Sequence, residues 1–134
     1  VSDVKAEIDQ LMRSFMSAFT NTGGARANLD LVREVFVPQG MIINNSGAEP
    51  VICDLDAFIA PRERILGDGT LTEFSEWEVE ERTEVFGSVA QRFSQYAKSG
   101  IRDGEPFEGA GRKITQFVRT PSGWRMSAMA WDDE

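Results

Sequence analysis

From Val4 to Phe19 the apolar and polar positions follow a helical period. Val4, Ile8, Leu11, Met12, Phe15 and Phe19 fall on one face, with Lys5, Glu7, Asp9, Gln10 and Arg13 on the other. Ser2 or Asp3 can cap the start and Thr22-Gly23-Gly24 ends the run, predicting one long amphipathic helix with a Phe- and Met-rich buried stripe. A shorter helix is expected from Asn28, burying Leu29, Val32, Val35 and Phe36 and stopped by Pro38. Gly40 to Asn44 reads as a short strand ended by an Asn-Asn-Ser-Gly turn, and Val51-Ile52-Cys53 as another, shorter one. Asp54 or Asp56 then caps a third helix carrying Leu55, Phe58, Ile59, Ile65 and Leu66. Pro61 either kinks it or opens a second segment, and Gly67-Asp68-Gly69 stops it.

Beyond Gly69 the period changes to two. Leu71 to Val85, Val89 to Ser99, Glu108 to Arg119 and Trp124 to Trp131 are strand candidates separated by Gly-containing breaks. Helices first and a meandering antiparallel sheet second is the α+β pattern of one curved sheet covered by helices. No repeat, low-complexity tract or linker interrupts residues 1–134, so one domain is expected.

The hairpins assign faces. A turn at Thr120-Pro121-Ser122-Gly123 pairs Arg119 with Trp124, Phe117 with Met126, Thr115 with Ala128 and Lys113 with Ala130. Large residues fill one end of that face, while the small Thr115, Ala128 and Ala130 leave room for a cavity with Asp132 near its mouth. The opposite face presents Ile114, Gln116, Val118, Met129 and Trp131, too apolar for open water, and is expected to form a homodimer. At Phe86-Gly87-Ser88 a two-residue loop puts Trp77, Val79 and Glu81 on one face with Ala90, Arg92, Ser94 and Tyr96. Glu76, Glu78, Glu80, Arg82, Gln91 and Gln95 are then on the wet face; a three-residue loop would exchange the two.

Composition narrows the chemistry. The 134 residues include 14 Lys+Arg, 22 Asp+Glu, no His and one Cys, for a net charge of −8. So acidic a chain, without a basic cluster, is not expected to bind nucleic acid. The absence of His removes Ser-His and Cys-His pairs and imidazole-bound zinc, and a single Cys leaves no internal disulfide. No apolar run would span a membrane, and charged residues occupy the first ten positions where a leader would need an apolar core, so a cytoplasmic location is expected. Asn44-Asn45-Ser46 fits a glycosylation sequon and is read as a turn. The glycine pairs at Gly67/Gly69 and Gly109/Gly111 lack the context of phosphate loops. Alternating glutamates on one strand do not make a metal cage, so no metal or cofactor is implied.

Two stretches and the closing residues then carry a resemblance. Val85-Phe86-Gly87-Ser88-Val89-Ala90 leads to Ser94-Gln95-Tyr96, and Gln116-Phe117-Val118-Arg119 leads through a tight turn into Gly123-Trp124-Arg125-Met126, before Ala130-Trp131-Asp132-Asp133. With the order of elements, these resemble the nuclear transport factor 2-like superfamily, in its SnoaL-like and ketosteroid-isomerase-like bacterial branch. The resemblance implies a cone-shaped α+β barrel. It also implies three N-terminal helices on the concave face of the sheet, a pocket between the first helix and that face, and dimerisation through the outer face. Ketosteroid isomerases use a Tyr of the first helix with two Asp residues; here that helix has Phe15 and Phe19, and the lone Tyr96 is on a strand.

The candidate catalytic residues are therefore Arg92, Tyr96 and Asp132, with Phe15, Phe19, Trp77, Ser94, Thr115, Ala128 and Ala130 lining the pocket. An inward Arg offers a fork for an oxyanion, a Tyr hydroxyl can donate to a carbonyl, and a desolvated Asp can move a proton. Against these stand an Arg92–Glu81 ion pair closing the interior, Tyr96 as core, and Asp132 as a solvated chain end. Asp54 reads as a helix cap and Cys53 as a small buried hydrophobe. Two functions follow: a domain binding a small apolar molecule, or a cofactor-independent isomerase, cyclase or dehydratase acting on an apolar carbonyl compound.

Overall fold

The apolar stripe of the first segment forms helix α1 (Ser2–Ser17), which buries Ile8, Met12 and Phe15 almost completely. The computed structural model that establishes this describes residues 2–134. The polar face of α1 is also engaged. Glu7 accepts the Trp124 backbone N–H at 2.8 Å and Asp9 accepts from Arg92 at 2.6 Å, so charge on the helix fastens it to the sheet below. After a short 3-10 turn (Thr22–Gly24), α2 spans only Asp30–Val35. Pro38 does not stop this helix; it lies inside strand β1 (Phe36–Asn44). The ladder of β1 is interrupted between Phe36 and Met41, where a residue without an N–H costs no sheet hydrogen bond. Strand β2 (Val51–Cys53) follows, then α3 (Leu55–Gly67), capped by Asp54, which accepts the Ala57 N–H at 2.8 Å. Helix α3 runs through Pro61 as one element.

Strands β3 (Leu71–Phe86), β4 (Val89–Arg102), β5 (Glu105–Thr120) and β6 (Gly123–Asp133) form the expected antiparallel meander. The β4–β5 connection is tighter than the sequence suggested. Asp103 and Gly104 both adopt positive φ (50° and 83°), as a two-residue hairpin loop with right-handed strand twist requires. The six strands are ordered β2-β1-β6-β5-β4-β3. The sheet is mixed rather than wholly antiparallel, because β1, separated from β6 by α3 and the rest of the meander, arrives beside β6 in the same direction. It is curved and open, with β2 and β3 at its edges, and the three helices pack on its concave side to give the cone-shaped α+β architecture.

Besides an offset between Thr72 and Ser75, two one-residue offsets decide which side chains near the expected site face that concave side. The β5–β6 register slips next to Phe117, so Thr115 pairs with Met129 and Lys113 with Trp131, not with Ala128 and Ala130. Beyond the offset Met129, Trp131 and Asp133 turn inward, while Ala128, Ala130 and Asp132 share the outer face with Gln116, Ile114 and Arg112. A second slip between Glu78 and Glu80 in β3 turns Glu76 and Glu78 inward and leaves Trp77 (46% exposed) and Val79 outside. The hairpin parity holds for Arg92, Ser94 and Tyr96, all inward and buried, and for Glu81 beside Ser94.

Asn21, absent from the sequence reading, joins three elements. Its amide donates to the carbonyls of Leu66 (3.1 Å) and Leu71 (2.8 Å), and its carbonyl accepts the Phe74 N–H at 2.8 Å. These bonds tie the exit of α1 to the end of α3 and the start of β3. Asn21→Ala strands three buried backbone groups and should lower the free energy of urea unfolding by ~2–4 kcal/mol. A loss below ~1 kcal/mol would show that water replaces the side chain.

Candidate functional site

A cavity of about 390 Å³ lies between α1, α3 and the concave sheet. Its apolar walls are rings and aliphatic chains: Phe15 from α1 and Phe19 from the turn after it, Phe58, Ile65 and Leu66 from α3, Leu71 and Phe74 from β3, Phe107 from β5 and Trp131 from β6. Set among them are Glu76 of β3, Tyr96, Lys98 and Arg102 of β4, Lys113 of β5, Asp133 of β6, Arg62 of α3 and Asn44 of β1.

Lys113 is the most deeply placed charge of the cavity lining, with its side chain only 4% exposed. It occupies an inward position of β5 between Ser94 of β4 and Trp131 of β6. Its Nζ is 3.6 Å from a Glu76 oxygen. The Tyr96, Phe15 and Trp131 ring centres lie 4.4, 5.2 and 5.5 Å away. Burial pushes its pKa below the ordinary lysine value, and Glu76 opposes that shift. The rings favour the cation through their quadrupoles, but they supply no hydrogen-bond acceptor of the kind water offers.

Tyr96 donates its hydroxyl hydrogen bond to Asp133, which also accepts from Lys98 Nζ at 3.1 Å. Burial and the neighbouring Asp133 charge push the Tyr96 pKa upward, so its proton is firmly held. Burial works against the Asp133 charge, but the hydrogen bonds from Tyr96 and Lys98 prevail and hold its pKa below the ordinary value. Gly111 lies opposite Tyr96 in the ladder, and a Cβ there would collide with the phenol and with the Asp132 carbonyl. A glycine is required so that the tyrosine can lie flat across β5 and reach β6.

Of the residues assigned from sequence, Phe15, Phe19 and Tyr96 line this cavity. Arg92 does not. It is buried beneath α1 with hydrogen bonds to Asp9 (2.6 Å) and Glu78 (2.6 and 3.0 Å), and Glu81 lies 3.6 Å away. Burial opposes its charge, yet these carboxylates outweigh that and hold the guanidinium more firmly protonated. Its donors are turned to protein groups. Ser94 is likewise committed, donating to Glu78 at 2.6 Å. Thr115 is fully buried in the core, its hydroxyl without a partner, and does not reach the cavity. Trp77, Ala128, Ala130 and Asp132 lie on the outer face because of the two offsets, which also remove Met129 (1% exposed) and Trp131 from that face.

The sequence reading missed Lys113, Glu76, Asp133, Lys98 and Arg62. A lysine at an inward strand position was the available signal for the first: Lys113 already shared the core face with Phe117 and Thr115 in the expected register. Arg62 had no such signal, because a helical arginine near Pro61 reads as surface. It reaches the cavity by lying over the Phe58 ring at 3.9 Å and donating to the Phe58 carbonyl at 3.1 Å.

Neither a protein-family model nor a curated protein matches the sequence. Solved structures do match in shape. The Kfla4162 protein of Kribbella flavida superposes with a TM-score of 0.83 at 18% identity, covering 99% of this chain and 92% of that one. A nuclear transport factor 2-like superfamily protein of Salmonella enterica serovar Typhimurium gives 0.80 at 16% identity, covering 98% and 91%. A nuclear transport factor 2-like protein with a cystatin-like fold from Novosphingobium aromaticivorans gives 0.72 at 18% identity, covering 97% and 81%. At such identities the likeness concerns architecture, and a shared architecture does not fix chemistry. The chain has the nuclear transport factor 2-like fold.

Proposed function

We propose that this protein is a small-molecule-binding domain whose ligand occupies the cavity between α1, α3 and the concave sheet. The observation that carries the reading is a volume of about 390 Å³ lined by rings and aliphatic chains and by nearly as many polar and charged side chains. That combination suits a compact, ring-containing molecule, since apolar walls supply affinity and fixed polar groups orient the ligand. Saturable binding of at least one compound from a set of small aromatic ketones, alcohols and acids is expected by ligand-observed nuclear magnetic resonance. Ile65→Trp, which fills the cavity, should abolish the signal while leaving the unfolding temperature within a few degrees. No saturable binding by any compound would sink the reading.

A second reading is favoured by one pair of groups. Tyr96 and Asp133 meet at the cavity wall, one keeping its proton and the other keeping its charge. A carboxylate base beside a hydroxyl donor is the minimum equipment for moving a proton next to a carbonyl. This supports a cofactor-independent isomerase, cyclase or dehydratase, with Asp133 taking the role first given to Asp132. Such an enzyme would speed α-proton exchange of a bound aromatic ketone in D2O by ~10²-fold or more over buffer, and Asp133→Asn would remove the acceleration. Equal rates with and without protein would leave binding alone.

We also propose that a second copy of the chain covers the outer sheet face. Three of the residues first assigned to it, Ile114, Gln116 and Val118, lie there. Ile114 is 51% exposed, and the pairings Phe93–Ile114–Ala130 and Val89–Val118 make the apolar surface continuous across three strands. A second copy is the occupant that the resemblance to the nuclear transport factor 2-like superfamily implies. No described helix is long and apolar enough to cross a membrane. Light scattering at micromolar concentration should give twice the chain mass, and Ile114→Lys should halve it. A monomeric wild type would overturn the dimer.

A further inference from the structure

The charges around the cavity are distributed against the trend of the chain. The protein carries −8 overall, yet the cavity is lined by Arg62, Lys98, Arg102 and Lys113 against only Glu76 and Asp133. Lys98 is matched by Asp133 at 3.1 Å. Lys113 has only Glu76, at 3.6 Å, longer than a well-made charged hydrogen bond. Arg62 has no carboxylate within ion-pair distance among the described residues and rests on the Phe58 ring and carbonyl.

Arg92 provides the comparison within the same molecule. Its side chain is 4% exposed, as is that of Lys113, and it is surrounded by Asp9, Glu78 and Glu81. Where the fold alone had to accommodate a buried cation, the chain supplied three carboxylates. At Lys113 it supplied one, at longer range, although acidic residues outnumber basic ones 22 to 14. A buried charge without full pairing is costly. The deficit opens onto the cavity, and Lys113 and Arg62 both approach the Trp131 ring, at 5.5 and 5.7 Å from its centre. Two incompletely paired cations therefore converge on one indole at the cavity wall.

We propose that the ligand of this cavity is a small aromatic or alicyclic carboxylate, its anionic group held between Lys113 and Arg62 and its ring packed against Phe15, Phe19 and Phe74. The proposal rests on the reading of the cavity as a binding site and adds the charge of what binds there. The ligand carboxylate completes the pairing that Glu76 leaves partial, and its second oxygen accepts from the Arg62 fork. A neutral ring of the same size would fill the volume and leave both cations as they are.

The test compares matched pairs by calorimetry: benzoate with acetophenone, 2-naphthoate with 2-acetylnaphthalene, and cyclohexanecarboxylate with cyclohexyl methyl ketone. At least one acid is expected to bind ten-fold or more tighter than its ketone. Lys113→Met and Arg62→Leu should each reduce that preference to less than three-fold. If a ketone binds as tightly as its acid, the cavity remains a binding site and the anion proposal falls. A preference unchanged in both variants would place the anion elsewhere and also overturn it. If no member of any pair binds, the proposal and the underlying reading fall together.

Discussion

A β-strand must send successive side chains to opposite faces, and the charged interior of this protein depends on two of the places where that alternation is offset by one residue. Without the β6 offset, Ala128 and Ala130 would face α3, and Trp131 and Asp133 would face solvent. Without the β3 offset, Glu78 would leave Arg92 and Glu76 would leave Lys113. Each bulge leaves a small irregularity in the ladder, and each moves a charged or aromatic group by the full thickness of the sheet. The cavity walls, the seating of α1 on Arg92 and the charge balance around Lys113 all follow from that parity.

The architecture was legible because most of its determinants are local and periodic. The stripe from Val4 to Phe19, the cap at Asp54 or Asp56 and the turn at Gly87-Ser88 can each be read within a window of a few residues; the stripe is buried although the helix ends at Ser17, Asp54 is the cap, and the turn stands where the pattern put it. The strand parity of Arg92, Ser94 and Tyr96 was legible for the same reason, since two residues of loop determine it. The position of β1 was not, because its partner is remote in sequence and Pro38 looked like a helix stop. Asp132 and Asp133 show how far local reading reaches. Both were seen as a charged chain end, and nothing in the residues between Trp124 and Asp133 announces the offset that decides which one turns inward.

The two buried cations illustrate different uses of desolvated charge. Arg92 connects Asp9 of α1 with Glu78 and Glu81 of β3, and its role is to join layers. Lys113 joins little. Its neighbours are rings, its carboxylate partner is at arm's length, and burial weakens its hold on a proton. The same fold thus contains a fully paired charge that serves cohesion and an underpaired one beside a volume. Fold-level likeness to other proteins does not distinguish the two; the pairing of each group does.

The parallel contact between β1 and β6 has a consequence for the order of assembly. The β3–β6 meander can grow hairpin by hairpin, each step closing a short loop. Strand β1 instead has to wait for a partner about 90 residues further along the chain. During synthesis, β1, β2 and α3 therefore emerge with one side of their sheet unclaimed, and the wall carrying Trp131 and Asp133 completes only when β6 docks. Until β6 docks, α1 and α3 hold their phenylalanines over a floor that has not yet arrived.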